Sequence, residues 1–442
     1  MGVGQLLRWR WLISSSLILG GCAHYQAAPL IPERSVQEFA ARSLPAQQQW
    51  DRAALLSLAL KQNPELAVAR AEIQAAAAHE ITAAELPNPD VTLQSEYARH
   101  DPHPWLYGIS LNWLLRSGER RRLDTEVARL DTGSARLQLM DHAWAVRRSL
   151  AAALSEWESA RQRAGLLEQL AGSQDRLIEL EQRRIRAGED APGELILIQQ
   201  ARIQIEQQVA ELRAAANAAQ AAIAKALGVP AQALDGVQFE WPDWGEPAAV
   251  ADAKWQQLRE QALLSRADLA VAINEYAGAE AKLQLAIAHQ YPQLTLSPGY
   301  YWDHGIAKFP FDVGFTLPLN GNRGEIAEAR AARELAGQRL LALQADIYGE
   351  IEAAMRDERI ARQTADAAQR RLLSVRRQVE QAALALRLGA AGAQENLSAQ
   401  ILAAQAELEV LQTRAQLQSS RNNLEDVLHA PLSGPELELA GS

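Results

Sequence analysis

The sequence predicts a mainly α-helical, internally duplicated chain with a small β part of the kind that lies in a membrane. Three observations carry this. Ala, Leu, Gln, Glu and Arg dominate the 442 residues, a composition of long, closely packed helices. The same succession of motifs occurs twice: Leu66-Ala67-Val68-Ala69 returns as Leu269-Ala270-Val271-Ala272, and Leu55, Ala59 and Leu60 return as Leu258, Ala262 and Leu263. Finally, each copy holds two short segments that alternate strictly between apolar and polar residues.

Residues 1–21 read as a signal peptide. Arg8 and Arg10 are followed by the apolar run Trp11–Leu19, too short for a mature membrane helix. Leu19-Gly20-Gly21-Cys22 resembles the bacterial lipobox, so Cys22, the only cysteine, is the expected lipidation site. Ala23 follows where an Asp would favour inner-membrane retention, which implies sorting to the outer membrane. One cysteine excludes an intrachain disulfide. Residues 22–49 are expected to form an irregular, lipidated arm.

Repeat 1 is expected over 50–228 and repeat 2 over 255–429, joined by a connector at 229–254 and followed by a loose tail at 430–442. In each, a helical segment runs to a proline stop, at Pro87 and Pro89 or at Pro292. Strands follow at about 90–98 and 106–113, and at about 293–300 and 311–319. A long helix then starts near Gly118 or Gly324 and stops near Gly188 or Gly389. About 70 residues of helix, at about 1.5 Å each, extend about 105 Å. A return helix completes each hairpin, with tips at about 186–194 and 387–395. Apolar spacings of three, four and seven (Leu167, Leu170, Leu177, Leu180; Leu195, Ile198, Ile205, Val209, Leu212; Leu372, Val375, Val379, Leu386; Leu397, Ile401, Leu408, Leu411) give the seams of a coiled coil.

Each predicted strand has one apolar and one polar wall. The windows 89–115 and 291–319 hold 11 of the chain's 24 aromatics, among them Trp105, Tyr107, Trp113, Tyr300, Tyr301, Trp302, Phe309 and Phe311, placed near strand ends as interfacial girdles are. Since no segment after Cys22 is long and apolar enough for a membrane helix, a membrane crossing must be made by a closed β-barrel. Four strands do not close one, so several chains must share it: two would supply 8 strands, three would supply 12. The polar wall, Thr92, Gln94, Glu96, Ser110, Asn112, Thr295, Ser297, Asp312 and Thr316, is the candidate pore lining.

Composition and motifs exclude much else. A net charge of −10 without a basic stripe excludes nucleic acid as a partner. No phosphate-binding glycine loop, nucleophile elbow or zinc-protease motif is present, so no enzyme, cofactor or metal site is expected. His100, Asp101, His103, Asp303 and His304 read as solvated loop residues. Three methionines are too few for a relay of soft metal ions.

Asn63-Pro64-Glu65-Leu66, the run Gly314-Phe315-Thr316-Leu317-Pro318-Leu319-Asn320 with Gly324, and the hairpin tips together resemble the TolC-type outer-membrane efflux proteins. The tips are the most specific part. Arg186-Ala187-Gly188 with Glu194 and Gln199 repeats as Arg387-Leu388-Gly389 with Glu395 and Gln400, at the same spacings from arginine. In the first repeat Asn112 stands where the family's strand proline would be, a departure expected to alter only the strand exit. The resemblance implies a homotrimer with a shared 12-stranded barrel and a long coiled-coil helical barrel across the periplasm. It implies work with a periplasmic adaptor protein and an inner-membrane pump of the resistance-nodulation-division type. It also implies that the tips (Arg186, Gly188, Arg387, Leu388, Gly389) dock the adaptor and that Glu395 and Glu194 are gate residues. The family's second acidic position, three residues after Glu395, is Ser398 here. Two alternatives remain: an exit duct for type I protein secretion, and a periplasmic coiled-coil adaptor, which would have one hairpin and no paired membrane strands.

Overall fold

The computed structural model describes residues 25–45, 49–250 and 252–433. The signal segment, Cys22 and the end of the tail lie outside the described residues. The chain divides into two compact units, Met1–Ser43 and Leu44–Ser442. The first is not the irregular arm expected: it contains helix α1 (Pro32–Ala40). Pro32 at the first helical position pre-sets the backbone angle, and Arg34 pairs with Glu38 one turn on at 2.8 Å. Its residues are all exposed within that unit.

The second unit opens with a two-residue strand, β1 (Trp50–Asp51), then α2 (Arg52–Gln62) and α3 (Pro64–Ala84). The single helical segment expected here is two helices. Pro64 has no N–H to continue α2 and forces the preceding residue out of the helical region, and Asn63 turns to ψ 128°. Its Oδ1 then caps α3, accepting from the Glu65 and Leu66 amides. Its amide donates to Ala226 O at 2.9 Å, tying the break to the far end of the repeat. In repeat 2 the break falls at the equivalent Arg266, between α6 (Asp252–Ser265) and α7 (Ala267–Ala288). There a guanidinium makes the same tie, donating to Val427 O at 2.6 Å while bound to Asp268.

Strands β2 (Asp90–Tyr97) and β3 (Trp105–Leu115) follow α3. Helix α4 (Gly118–Ala187) then runs unbroken for 70 residues and α5 (Pro192–Leu227) returns for 36. Ser117 caps the start of α4, and Gly188, at φ +78°, ends it in the left-handed cap that glycine adopts without strain. Repeat 2 has β5 (Leu294–Asp303), β6 (Ile306–Lys308) and β7 (Phe311–Phe315), then α8 (Arg323–Arg387) and α9 (Ala393–Leu428). The connector between the repeats is not a loose linker. Its strand β4 (Phe239–Glu240) pairs in parallel with β1, and Leu234 and Trp244 are buried.

The duplication is visible in the packing. Leu55, Ala59, Leu66, Val146, Leu150, Ile223 and Leu227 form the core of repeat 1. Their sequence equivalents Leu258, Ala262, Leu269, Ile347, Ile351, Leu424 and Leu428 form that of repeat 2. Further out, Leu167, Leu170, Ile205, Val209 and Leu212 zip α4 to α5, while Leu372, Val375, Ala406 and Val410 zip α8 to α9. Where α4 meets α9, polar groups join the halves. Arg147 and Glu425 form a buried ion pair, Arg148 and Asp426 an exposed one at 3.0 Å, and Asn422 donates to Ala151 O.

Candidate channel wall and hairpin tips

The four predicted strands form one antiparallel sheet, not two separate hairpins. β2 pairs with β3, β3 with β5, and β5 with β6 and β7. β5 turns into β6 through His304 and Gly305, both at positive φ, the two-residue turn that matches strand twist. β6 and β7 keep one register against β5 and are separated only at Phe309 and Pro310, where proline supplies no ladder donor. The fourth strand therefore starts earlier than expected, at Ile306, and ends at Phe315 rather than 319, ahead of Pro318. Thr316 lies outside it.

Register decides which side chains share a face. Thr92 opposes Ser110, Asp90 opposes Asn112, Thr295 opposes Gly314 and Ser297 opposes Asp312. With Gln94 and Glu96 these make one polar wall. Asn112 ties it together, its amide donating to Thr92 Oγ1 at 3.2 Å and its Oδ1 accepting from Ser297 Oγ at 2.8 Å. The departure at Asn112 thus does more than alter a strand exit: it links three strands, and β3 continues to Leu115. The other wall holds Val91, Leu93, Ile109, Trp113, Leu296, Phe311, Val313 and Phe315. All are apolar, and nearly all are exposed. Tyr97 and Trp105 pack edge to face at 5.0 Å on this side, as do Tyr300 and Phe309 at 5.2 Å with tilted rings. Tyr301 is a correction: it belongs to the polar wall, its ring lying over Gly108, where a Cβ would come within 2.0 Å of Cδ1. Among the described residues no helix is long and apolar enough to cross a membrane, and this wall is a contiguous exposed apolar surface.

The outer loops touch. His304 Nδ1 lies 2.7 Å from His103 O and 3.8 Å from the Asp101 carboxylate, while its Nε2 lies 3.7 Å from Asp303. His100, at φ +85°, makes the turn between β2 and β3.

At the other end, Arg186 and Arg387 are exposed and lie back along their own helices, donating to Gln182 O and Ala383 O. Gly188 and Gly389 both take the left-handed conformation, and Leu388 projects 74% exposed. Glu194 and Glu395 each sit in the first turn of a return helix, where the helix dipole favours a carboxylate. The structure brings Glu194 against the second hairpin: the Gln394 amide donates to it at 3.3 Å. Arg184 donates to Gln394 Oε1 and pairs with Asp190 at 2.9 Å. Beneath them Glu181 is fully buried, 3.8 Å from Arg184. Burial first, then the neighbouring Asp190 and Glu194 carboxylates, push the Glu181 carboxyl above its ordinary value. Arg184, Gln394, Glu181 and Asp190 were not singled out from sequence. Glu181 was detectable: 167, 170, 174, 177 and 181 is an unbroken three-four alternation, and the last member is charged.

Residues 55–229 match the family model described as outer membrane efflux protein. No curated protein matches the chain. Among solved structures, a membrane protein from Pseudomonas aeruginosa superimposes with a TM-score of 0.71 at 17% identity, over 93% of this chain and 97% of that one. The CmeC outer membrane channel of Campylobacter jejuni gives 0.69 at 15% identity, over 95% and 97%. The open-state MtrE outer membrane channel of Neisseria gonorrhoeae gives 0.68 at 16%, over 86% and 89%. By sequence the first repeat is similar to the outer membrane efflux protein family, and both repeats share the fold of these solved structures.

Proposed function

We propose that the protein is the outer-membrane channel subunit of a tripartite efflux system, conducting passively what a periplasmic adaptor and an inner-membrane pump deliver. The observation that carries this is the sheet: one polar wall, one exposed apolar wall, and no strand partner for the outer edges of β2 and β7 among the described residues. In hydrocarbon an unpaired edge is costly, so edges of neighbouring chains must meet. Three chains close 12 strands around an aqueous duct lined by Thr92, Gln94, Glu96, Ser110, Asn112, Thr295 and Asp312, with Thr316 at its rim. Cys22 carries the lipid that anchors the assembly. The tips at Arg186, Gly188, Arg387, Leu388 and Gly389 meet the adaptor, Glu194 and Glu395 guard the mouth, and the pump is of the resistance-nodulation-division type.

A deletion strain, with and without the gene restored, tests the reading by its susceptibility to drugs and metals. Restored export of small toxic compounds is expected. Unchanged susceptibility with loss of an exported protein would replace efflux by type I secretion. Detergent-solubilised protein should have the mass of a trimer, and a monomer would overturn the shared barrel.

A further inference from the structure

We propose that the tip of the first hairpin binds one hard divalent cation of the calcium class through Glu181, Asp190 and Glu194. These three carboxylates each offer an oxygen, and the oxygens lie within 4.8 Å of one another. At that spacing the three oxygens can share one ion at Ca–O distances of about 2.4 Å, and calcium tolerates the irregular geometry that magnesium, which dehydrates reluctantly, does not. An all-oxygen set suits a hard cation.

Acidic residues gather on many surfaces without a ligand, but Glu181 is different. It is wholly buried at a seam position of the α4–α5 coiled coil, where leucine is the ordinary occupant, and both its carboxylate oxygens lack a hydrogen-bond partner. An ionised carboxylate in that state is strongly unfavourable unless a positive charge reaches it. Arg184 is the cation at hand, yet it spends its close contact on Asp190, at 2.9 Å, and reaches Glu181 only at 3.8 Å. Three carboxylates against one guanidinium, which Glu189 also approaches at 3.8 Å, leave at least two negative charges, enough for a divalent ion. Asp190 is half-buried and Glu194 exposed, so the site opens to solvent through Glu194.

The second hairpin supplies an internal control. The positions equivalent to Glu181, Arg184, Glu189 and Asp190 are Ala382, Ala385, Ala390 and Ala391, and only Glu194 has an acidic counterpart, Glu395. The whole charged set belongs to one copy of the duplication, so it is not a requirement of hairpin folding. Because Gln394 donates to Glu194, a cation there would also order the contact between the two tips.

The test uses the full chain in detergent, stripped of divalent ions and titrated with calcium chloride near neutral pH in a calorimeter. One calcium per chain is expected, with weaker binding of magnesium. Glu181→Gln and Asp190→Asn should each weaken calcium by about ten-fold or more, since each removes a charged ligand. Glu395→Gln should leave it unchanged. Glu181→Gln replaces an unpaired buried charge by a neutral amide, so circular dichroism should show it folded. Asp190→Asn, nearer the surface, gives a second reading. No calcium binding by the parent chain, or binding that survives both variants, overturns the proposal. So does binding lost only in Glu395→Gln, which would place the ion on the other hairpin. Because binding is read on purified protein, the outcome is independent of whether the channel exports anything.

Discussion

Arg147 and Arg148 are neighbours on α4, and each pairs with a neighbour on α9, Glu425 and Asp426. They differ in surroundings. The Arg147 and Glu425 side chains are 7% and 3% exposed, whereas Arg148 is 60% exposed and Asp426 14%. Arg147→Met keeps the length of the side chain but takes the closest cation from the Glu425 carboxylate in the joint between the repeats, leaving it the Leu432 N–H and a 3.9 Å contact with Arg421, and removes a guanidinium lying 5.1 Å from the Trp144 ring. Breaking a buried pair by removing one partner costs about 3–5 kcal/mol. Arg148→Met removes an exposed pair, worth about 0–1 kcal/mol. The gap of about 3 kcal/mol corresponds to about two powers of ten in the folded-to-unfolded ratio. Urea unfolding in detergent, followed by the helical circular dichroism signal, measures both. Equal midpoints for the two variants would refute the argument, because they would mean that water reaches Glu425 and that the joint is not held by a buried charge.

Two further outcomes follow from the geometry. Asn112→Ala should lower the thermal midpoint of the strand signal by the loss of two hydrogen bonds, about 1–2 kcal/mol together, and more than Thr92→Ala, which removes only one; equal effects would show that Asn112 does not bridge three strands. Burial, assisted by Arg266, holds His429 below its ordinary value of 6.5. The folded chain thus binds a proton there less readily than the unfolded chain, so this contribution to stability is complete above that value and is lost as pH falls. Unfolding midpoints should drop between about pH 7 and about pH 5, and His429→Asn, which tolerates the left-handed cap at φ +47°, should flatten the slope; an unaltered slope would assign it to other groups.

Punctuation made most helix ends readable: Gly188 and Gly389 cap the long helices, and proline closes what precedes the strands. Period-two alternation did the same for the two faces of the sheet. What escaped depends on partners distant in sequence. Nothing in the strands announces that β3 pairs with β5, since register between segments some 190 residues apart is set by the folded helices that hold them. Composition places Tyr301 with the girdle aromatics, whereas its parity, one residue off Tyr300, puts it on the polar wall. The cluster at the first tip is hidden because Leu180 offers the seam an apolar neighbour of Glu181, and a buried carboxylate does not look like a core residue.

In the shared barrel proposed above, the edges of β2 and β7, unpaired among the described residues, bear on how the chain reaches its final state. A protomer that cannot satisfy those backbone groups alone has no complete native structure to fold into by itself. Its stability should therefore depend on chain concentration, and dilution should act on it as a denaturant does. Between synthesis and assembly the same edges are sticky templates for wrong partners, which makes the interval before the strands meet the most hazardous part of the molecule's life.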